Sequence, residues 1–175
     1  MTHDRNTSPE ELSGWFAGRL PSDWFAGAPD VRADREEILV VGTLAEPELL
    51  ADAAAETVAA ARASRIAGFR EDTRAQRMRI ADEAQHRFVR KVSWGASCGD
   101  QKVLFTTLSV PAMTRLRMPE RTVLDTLVEA GVARSRSHAL AWCVRLVADR
   151  QDDWLRDLRG ALEAVEKVRS EGPND

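Results

Sequence analysis

The stretch from Ala112 to Arg150 constrains this chain most, because it holds the pattern of two short amphipathic helices and little else to cover them. Pro119 opens a helix of about twelve residues that turns Val123, Leu124, Leu127 and Val128 inward. Beyond a small loop, Leu140, Cys143, Val144 and Val147 repeat at i, i+3, i+4 and i+7, the spacing of one buried helix face. Ahead of both, "MTRLRM" alternates as a short strand does, with Met113, Arg115 and Arg117 on one face and Thr114, Leu116 and Met118 on the other. A unit of this size cannot bury both helices by itself. It is expected to pair with a copy of itself around Leu116, Val123, Leu124, Leu127, Leu140, Val144 and Val147.

The loop between the helices carries Arg134, Ser135, Arg136 and Ser137 in succession, followed by His138. Ser135 is placed to cap the second helix, its hydroxyl accepting from the backbone N–H of Ser137 or His138. Unpaired N–H groups and the macrodipole make a helix N-terminus attractive to anions. With two guanidiniums beside it, the loop reads either as a phosphate clamp or as a well-capped, solvent-exposed turn.

The run "MTRLRMPERTVLDTLVEAGVARSRSHAL", above all "LVEAG" followed by "SRS" and an amphipathic helix, resembles the ribbon-helix-helix (Arc/MetJ/CopG-type) DNA-binding family over about residues 112–150. The resemblance implies an intertwined homodimer whose paired strands enter the DNA major groove while the second helix's N-terminus grips the backbone. By position, Met113, Arg115 and Arg117 would face the bases, and Arg134, Ser135, Arg136, Ser137 and His138 would sit at phosphate. An Arg fork can donate two bonds to guanine, whereas the loop would add affinity without sequence preference. His138 stands where the family has a Glu, so its protonation below about pH 6.5 would strengthen DNA binding.

Charge is compatible with a local rather than a global nucleic-acid surface. The 175 residues carry a net charge of −3, yet residues 111–150 hold seven Arg against four acids, and residues 61–91 hold eight Arg and one Lys against four acids. The Arg residues of the second run are expected to lie on a solvated face, paired with Glu71, Asp72, Asp82 and Glu83.

Upstream, residues 1–30 read as a flexible segment with two WFAG motifs, at 15–18 and 24–27, acting as aromatic anchors or docking sites. Ser8 and Pro9 offer a helix start that Gly14 and Gly18 should cut to a turn or two. Residues 31–110 read as a strand over Arg35–Leu44, a long helix from Pro47 to about Val92 with Gly68 as its weak point, a turn at Trp94–Gln101 and a strand over Lys102–Val110. Residues 151–175 continue the last helix to about Arg169 and end in a tail. The fold class expected is α-rich α+β: a C-terminal ribbon-helix-helix dimerisation unit at 111–150, with an N-terminal extension of one strand plus a long helix.

Other chemistry is weakly signalled. "GASCG" at Gly95–Gly99 matches the nucleophile-elbow pattern but lacks a strand before it and a helix after it. Cys98 has no base fixed by spacing, two Cys and three scattered His show no zinc pattern, and no cofactor motif is present. The polar N-terminus and the two separated cysteines favour the cytoplasm.

The function expected is a dimeric DNA-binding transcriptional regulator, a repressor or antitoxin-like autoregulator, that recognises a palindromic or repeated double-stranded site and does not engage membrane. One alternative is a homodimeric protein-interaction module that keeps the dimer unit without DNA binding and meets its partner through the N-terminal region. A second is a small enzyme using the Ser97/Cys98 turn.

Overall fold

Four consecutive apolar residues, Ile38 to Val41, form the heart of a mixed sheet around which the helices of the first unit pack. A computed structural model describes residues 7–171 and divides the chain into two units, 1–111 and 112–175. In the first unit, the elements are α1 (Pro9–Arg19), β1 (Asp30–Ala33), β2 (Glu37–Thr43), α2 (Ala55–Asp72), α3 (Arg74–Phe88), β3 (Lys91–Cys98) and β4 (Gln101–Leu104). The sheet order is β1-β2-β3-β4, with β2 and β3 parallel and both edge strands antiparallel to their neighbours.

Alternation along the two central strands sends Ile38, Val40, Trp94, Ala96 and Cys98 to the buried side. Leu12 and Phe16 of α1 and Ile80, Ala84 and Phe88 of α3 close over Ile38, Val40 and Trp94, together with Trp24. Ile66 of α2 packs with Leu44, Ala96 and Cys98. Both WFAG motifs serve this core. Trp15 meets Phe16 and Phe88 edge to face at 4.8 and 5.4 Å, and Trp24 meets Phe69 at 5.4 Å. Phe25 lies against Gly42, where a Cβ would stand 2.1 Å from its ring.

The expected strand plus long-helix extension is corrected by this arrangement. Ser8 caps α1 through Glu11 N–H at 3.1 Å, and α1 runs through Gly14 and Gly18 to Arg19, because burial of Leu12 and Phe16 outweighs the cost of two glycines. Residues 7–30 are therefore built into the fold, while residues 1–6 lie outside those described. The single long helix is two, meeting at Thr73 rather than bending at Gly68. The stretch expected as a turn from Trp94 is mostly strand β3, and β4 ends at Leu104, short of Val110.

A tight turn at Gly99 and Asp100 joins β3 to β4. Gly99 has φ +57°, and a Cβ there would lie 2.3 Å from the Arg62 guanidinium, which crosses the turn to bind Glu46 and Asp100. Gly99→Ala is expected to cost about 1–2 kcal/mol in urea unfolding. Gly131→Ala has a similar φ of +75° in open space, so its smaller loss isolates the backbone part.

The second unit contains α4 (Met118–Glu129), α5 (Arg136–Arg150) and α6 (Asp152–Glu171). No strand forms over residues 112–117. The ribbon-helix-helix arrangement expected there is thus corrected: the sheet belongs to the N-terminal unit, and the C-terminal unit is helical. An isolated extended segment has no ladder to satisfy its backbone groups, so alternation alone does not make it a strand. Nor does one helix run from Arg136 to Arg169; Gln151 leaves helical geometry, with φ −123° and ψ 29°, and separates α5 from α6.

Candidate nucleic-acid interface

Three buried residues, Leu124, Ala133 and Ala139, hold α4 and α5 together, with Leu116, Leu127, Val128, Leu140 and Cys143 packed around them. Of the residues expected at a dimer core, Leu116, Leu124, Leu127 and Leu140 are used within the chain. Val123, Val144 and Val147 remain exposed.

The loop between the helices is built by capping at both ends. Gly131, with φ +75°, ends α4, and the N–H groups of Val132 and Ala133 both donate to the Leu127 carbonyl at 3.0 Å. Ser135 caps α5, its hydroxyl accepting from His138 N–H at 3.2 Å, as the sequence expects. Arg134, Ser135, Arg136 and Ser137 are exposed, and the first turn of α5 has no acidic residue. The positive end of the helix is therefore open to an anion.

Arg136 is already engaged. Its Nε and one terminal nitrogen donate to the two carboxylate oxygens of Asp125 at 2.6 and 2.7 Å, a bidentate pair between α4 and α5. The hydrogen bond first, and the guanidinium charge second, hold the Asp125 carboxyl below its ordinary value and raise that of Arg136. Sequence reasoning missed Asp125 because its partner lies eleven residues away in another helix, beyond any local pairing rule. Arg136 accordingly orients the start of α5, and Arg134 is the freer cation of the loop.

The imidazole of His138 turns back: its Nδ1 accepts from the Arg134 N–H at 3.3 Å.

Ahead of α4, Met113 is fully exposed, and Arg115 and Arg117 are exposed, while Leu116 turns inward. A shallow cleft of about 320 Å³ brings Met113 and Leu116 together with Arg121, Arg136 and Ser137. Arg115, Arg117, Arg134, Ser135 and His138 do not line it. The segment before α4 and the start of α5 thus share one surface, with Arg121 anchoring the approach by donating to the Leu116 carbonyl at 2.8 Å.

The competing nucleophile candidates are differently placed. Ser97 lies in strand β3, its hydroxyl 3.1 Å from that of Thr43 across the sheet. Cys98 is buried, and burial first and the Glu46 carboxylate second push its thiol up, away from the thiolate that nucleophilic attack requires. Among the described residues no group of three or more His, Cys, Asp or Glu is placed to hold a metal ion, and no helix is long and apolar enough to cross a membrane.

Comparison with known proteins finds two adjoining domain families. The profile of the Rv1265-like protein, N-terminal domain, matches residues 10–104, and that of the Mb1296 C-terminal domain matches residues 117–169; the division between the two units falls between the matched spans. The chain is 57% identical over 161 residues to the uncharacterized protein Rv1265 of Mycobacterium tuberculosis, a match covering 91% of this chain and 69% of that protein. The same identity and coverage hold for the uncharacterized protein Mb1296 of Mycobacterium bovis. No solved structure matches the chain at a significant level. With a family profile spanning more than half its length and relatives this similar, the chain belongs to the Rv1265-like family.

Proposed function

We propose that this protein is a homodimeric, cytoplasmic DNA-binding regulator of transcription, a repressor or antitoxin-like autoregulator, that contacts double-stranded DNA through its C-terminal unit. The observation that carries the reading is the exposed, acid-free start of α5, with Arg134 and the capping Ser135 beside it. The exposed Met113, Arg115 and Arg117 supply side chains able to meet base edges. The sequence resemblance of residues 112–150 to DNA-binding proteins supports the reading in the helices and their loop. Two free cysteines fit a reducing compartment.

The test is fluorescence anisotropy of the full-length protein with mixed genomic fragments. Binding is expected at about 50 mM NaCl and should weaken steeply with salt, while Arg134→Ala should weaken all fragments alike. Absence of binding at low salt would overturn the proposal. It would favour a second reading, suggested by the engagement of Arg136 with Asp125, in which the C-terminal unit serves dimerisation and the first 100 residues meet a protein partner.

A further inference from the structure

The ion pairs of Arg62 and Arg87 reach acids outside the basic run at residues 61–91. Arg62 of α2 takes Glu46 and Asp100, and Arg87 of α3 takes Glu11 of α1. Glu83 is drawn away to Arg19. Those acids are spent on fixing α1, α2 and the β3–β4 turn, and Arg70, Arg74 and Arg77 are left without an ion pair among the described residues.

These three arginines fall at i, i+4 and i+7, and Thr73 between α2 and α3 keeps right-handed helical dihedrals, with φ −94° and ψ 0°. They therefore stand on one face. Arg77 is 6% exposed. Its Nε donates to Thr73 Oγ1 at 2.9 Å and a terminal nitrogen donates to the Arg70 carbonyl at 2.6 Å. Its guanidinium lies 4.9 Å from the centroid of Phe105, and that of Arg70 lies 5.9 Å from the same ring.

The two hydrogen bonds orient the Arg77 fork and satisfy a carbonyl at the end of α2, but they bring no formal countercharge. Burial first, then the charges of Arg70 and Arg74, push the Arg77 guanidinium below its ordinary value. A buried cation is normally paired. Here two neighbouring positive charges outweigh the one carboxylate that acts on it, Glu71, so the face keeps an excess of positive charge.

We propose that Arg70 and Arg74, with the buried Arg77 beside them, form a second phosphate-contacting face, in the N-terminal unit, that takes the DNA sugar-phosphate backbone. The proposal rests on the DNA-binding reading above and extends it to a surface that reading does not use. Arg70 and Arg74 are exposed, so the face presents two open cations, with the third, Arg77, buried beside Phe105. A polyanion is held by such a row, whereas a small phosphate compound is held in an enclosing pocket. Contacts to backbone phosphate carry no sequence information, so the face's contribution is affinity without sequence preference.

The test is the salt dependence of DNA binding by the full-length protein carrying Arg70→Ala and Arg74→Ala, with a labelled duplex of arbitrary sequence between about 50 and 200 mM NaCl. The slope of log K against log salt should become shallower by about 2, so that the ratio of variant to wild-type Kd contracts roughly tenfold across that range. Arg70→Lys with Arg74→Lys should keep the wild-type slope, since charge and not fork geometry is used, and the melting temperature of both variants should match wild type.

An unchanged slope in the alanine variant, with wild type binding DNA, overturns the proposal and leaves the C-terminal contact intact. A wild-type protein that binds no DNA at 50 mM overturns both. If the slope is unchanged but inorganic phosphate raises the melting temperature of wild type and not of the alanine variant, the face binds free phosphate and the DNA proposal is overturned in that form.

Discussion

Phe16→Ala is expected to destabilise the N-terminal unit by about 3–5 kcal/mol, the range for removing a large aromatic from a packed core. Phe16 is fully buried and packs edge to face against Trp15 at 4.8 Å and Trp94 at 6.2 Å. It joins α1 to the sheet, so its loss releases more than one side chain. Against a typical domain stability of about 5–15 kcal/mol, this should shift urea unfolding, followed by tryptophan fluorescence, to much lower denaturant. Met113→Ala, at a fully exposed position, should leave the curve unchanged. A loss below about 1 kcal/mol for Phe16→Ala would mean that α1 does not dock as described.

The second large effect concerns self-association. Trp154, Leu158, Leu162 and Val165 run along one face of α6 at helical spacing, and all are at least 43% exposed. Val123, Val144 and Val147 are exposed as well, while the unit's own core has three buried residues. So much apolar surface on so small a core is the pattern of an interface. Leu158→Glu with Leu162→Glu should convert a dimer into a monomer in sedimentation equilibrium. Symmetry removes four side chains at about 1.5 kcal/mol each, roughly a 10⁴-fold weakening. A wild-type monomer, or a variant that remains dimeric, would contradict the assignment of this face.

Where sequence and structure agree, one local rule decides. The Ile38–Val41 run reads as a strand with both faces partly covered because four consecutive apolar residues, three of them β-branched, suit a pleated, buried segment. Ser135 reads as a cap because its hydroxyl needs only a backbone three residues on. Where they part, a distant neighbour decides. Gly95 looks like a turn residue, yet it lies in β3, paired with Val41 of β2 and Leu104 of β4, where a Cβ would meet the Leu104 side chain at 2.8 Å and the Val103 carbonyl at 2.9 Å. β1, with the sequence Asp-Val-Arg-Ala, has one apolar side chain of any size and becomes a strand only by pairing with β2. Helix α3 ends at Val89 in left-handed geometry with φ 56°, where sequence rules look for glycine.

The candidate site divides in the same way. The N-terminus of α5 and the exposure of Arg115 and Arg117 follow from local pattern. The Asp125–Arg136 pair and the row at Arg70, Arg74 and Arg77, without an ion pair among the described residues, depend on where α1, α4 and the β3–β4 turn place their acids, which spacing along the chain does not encode.

The most direct measurement is selection of bound DNA from a genomic pool by the purified full-length protein, repeated with Arg115→Ala. An enriched palindromic or repeated site for the wild-type protein, lost in the variant, is the result expected of a regulator that reads bases from the segment before α4. No enrichment by a wild-type protein that is dimeric in solution would contradict it.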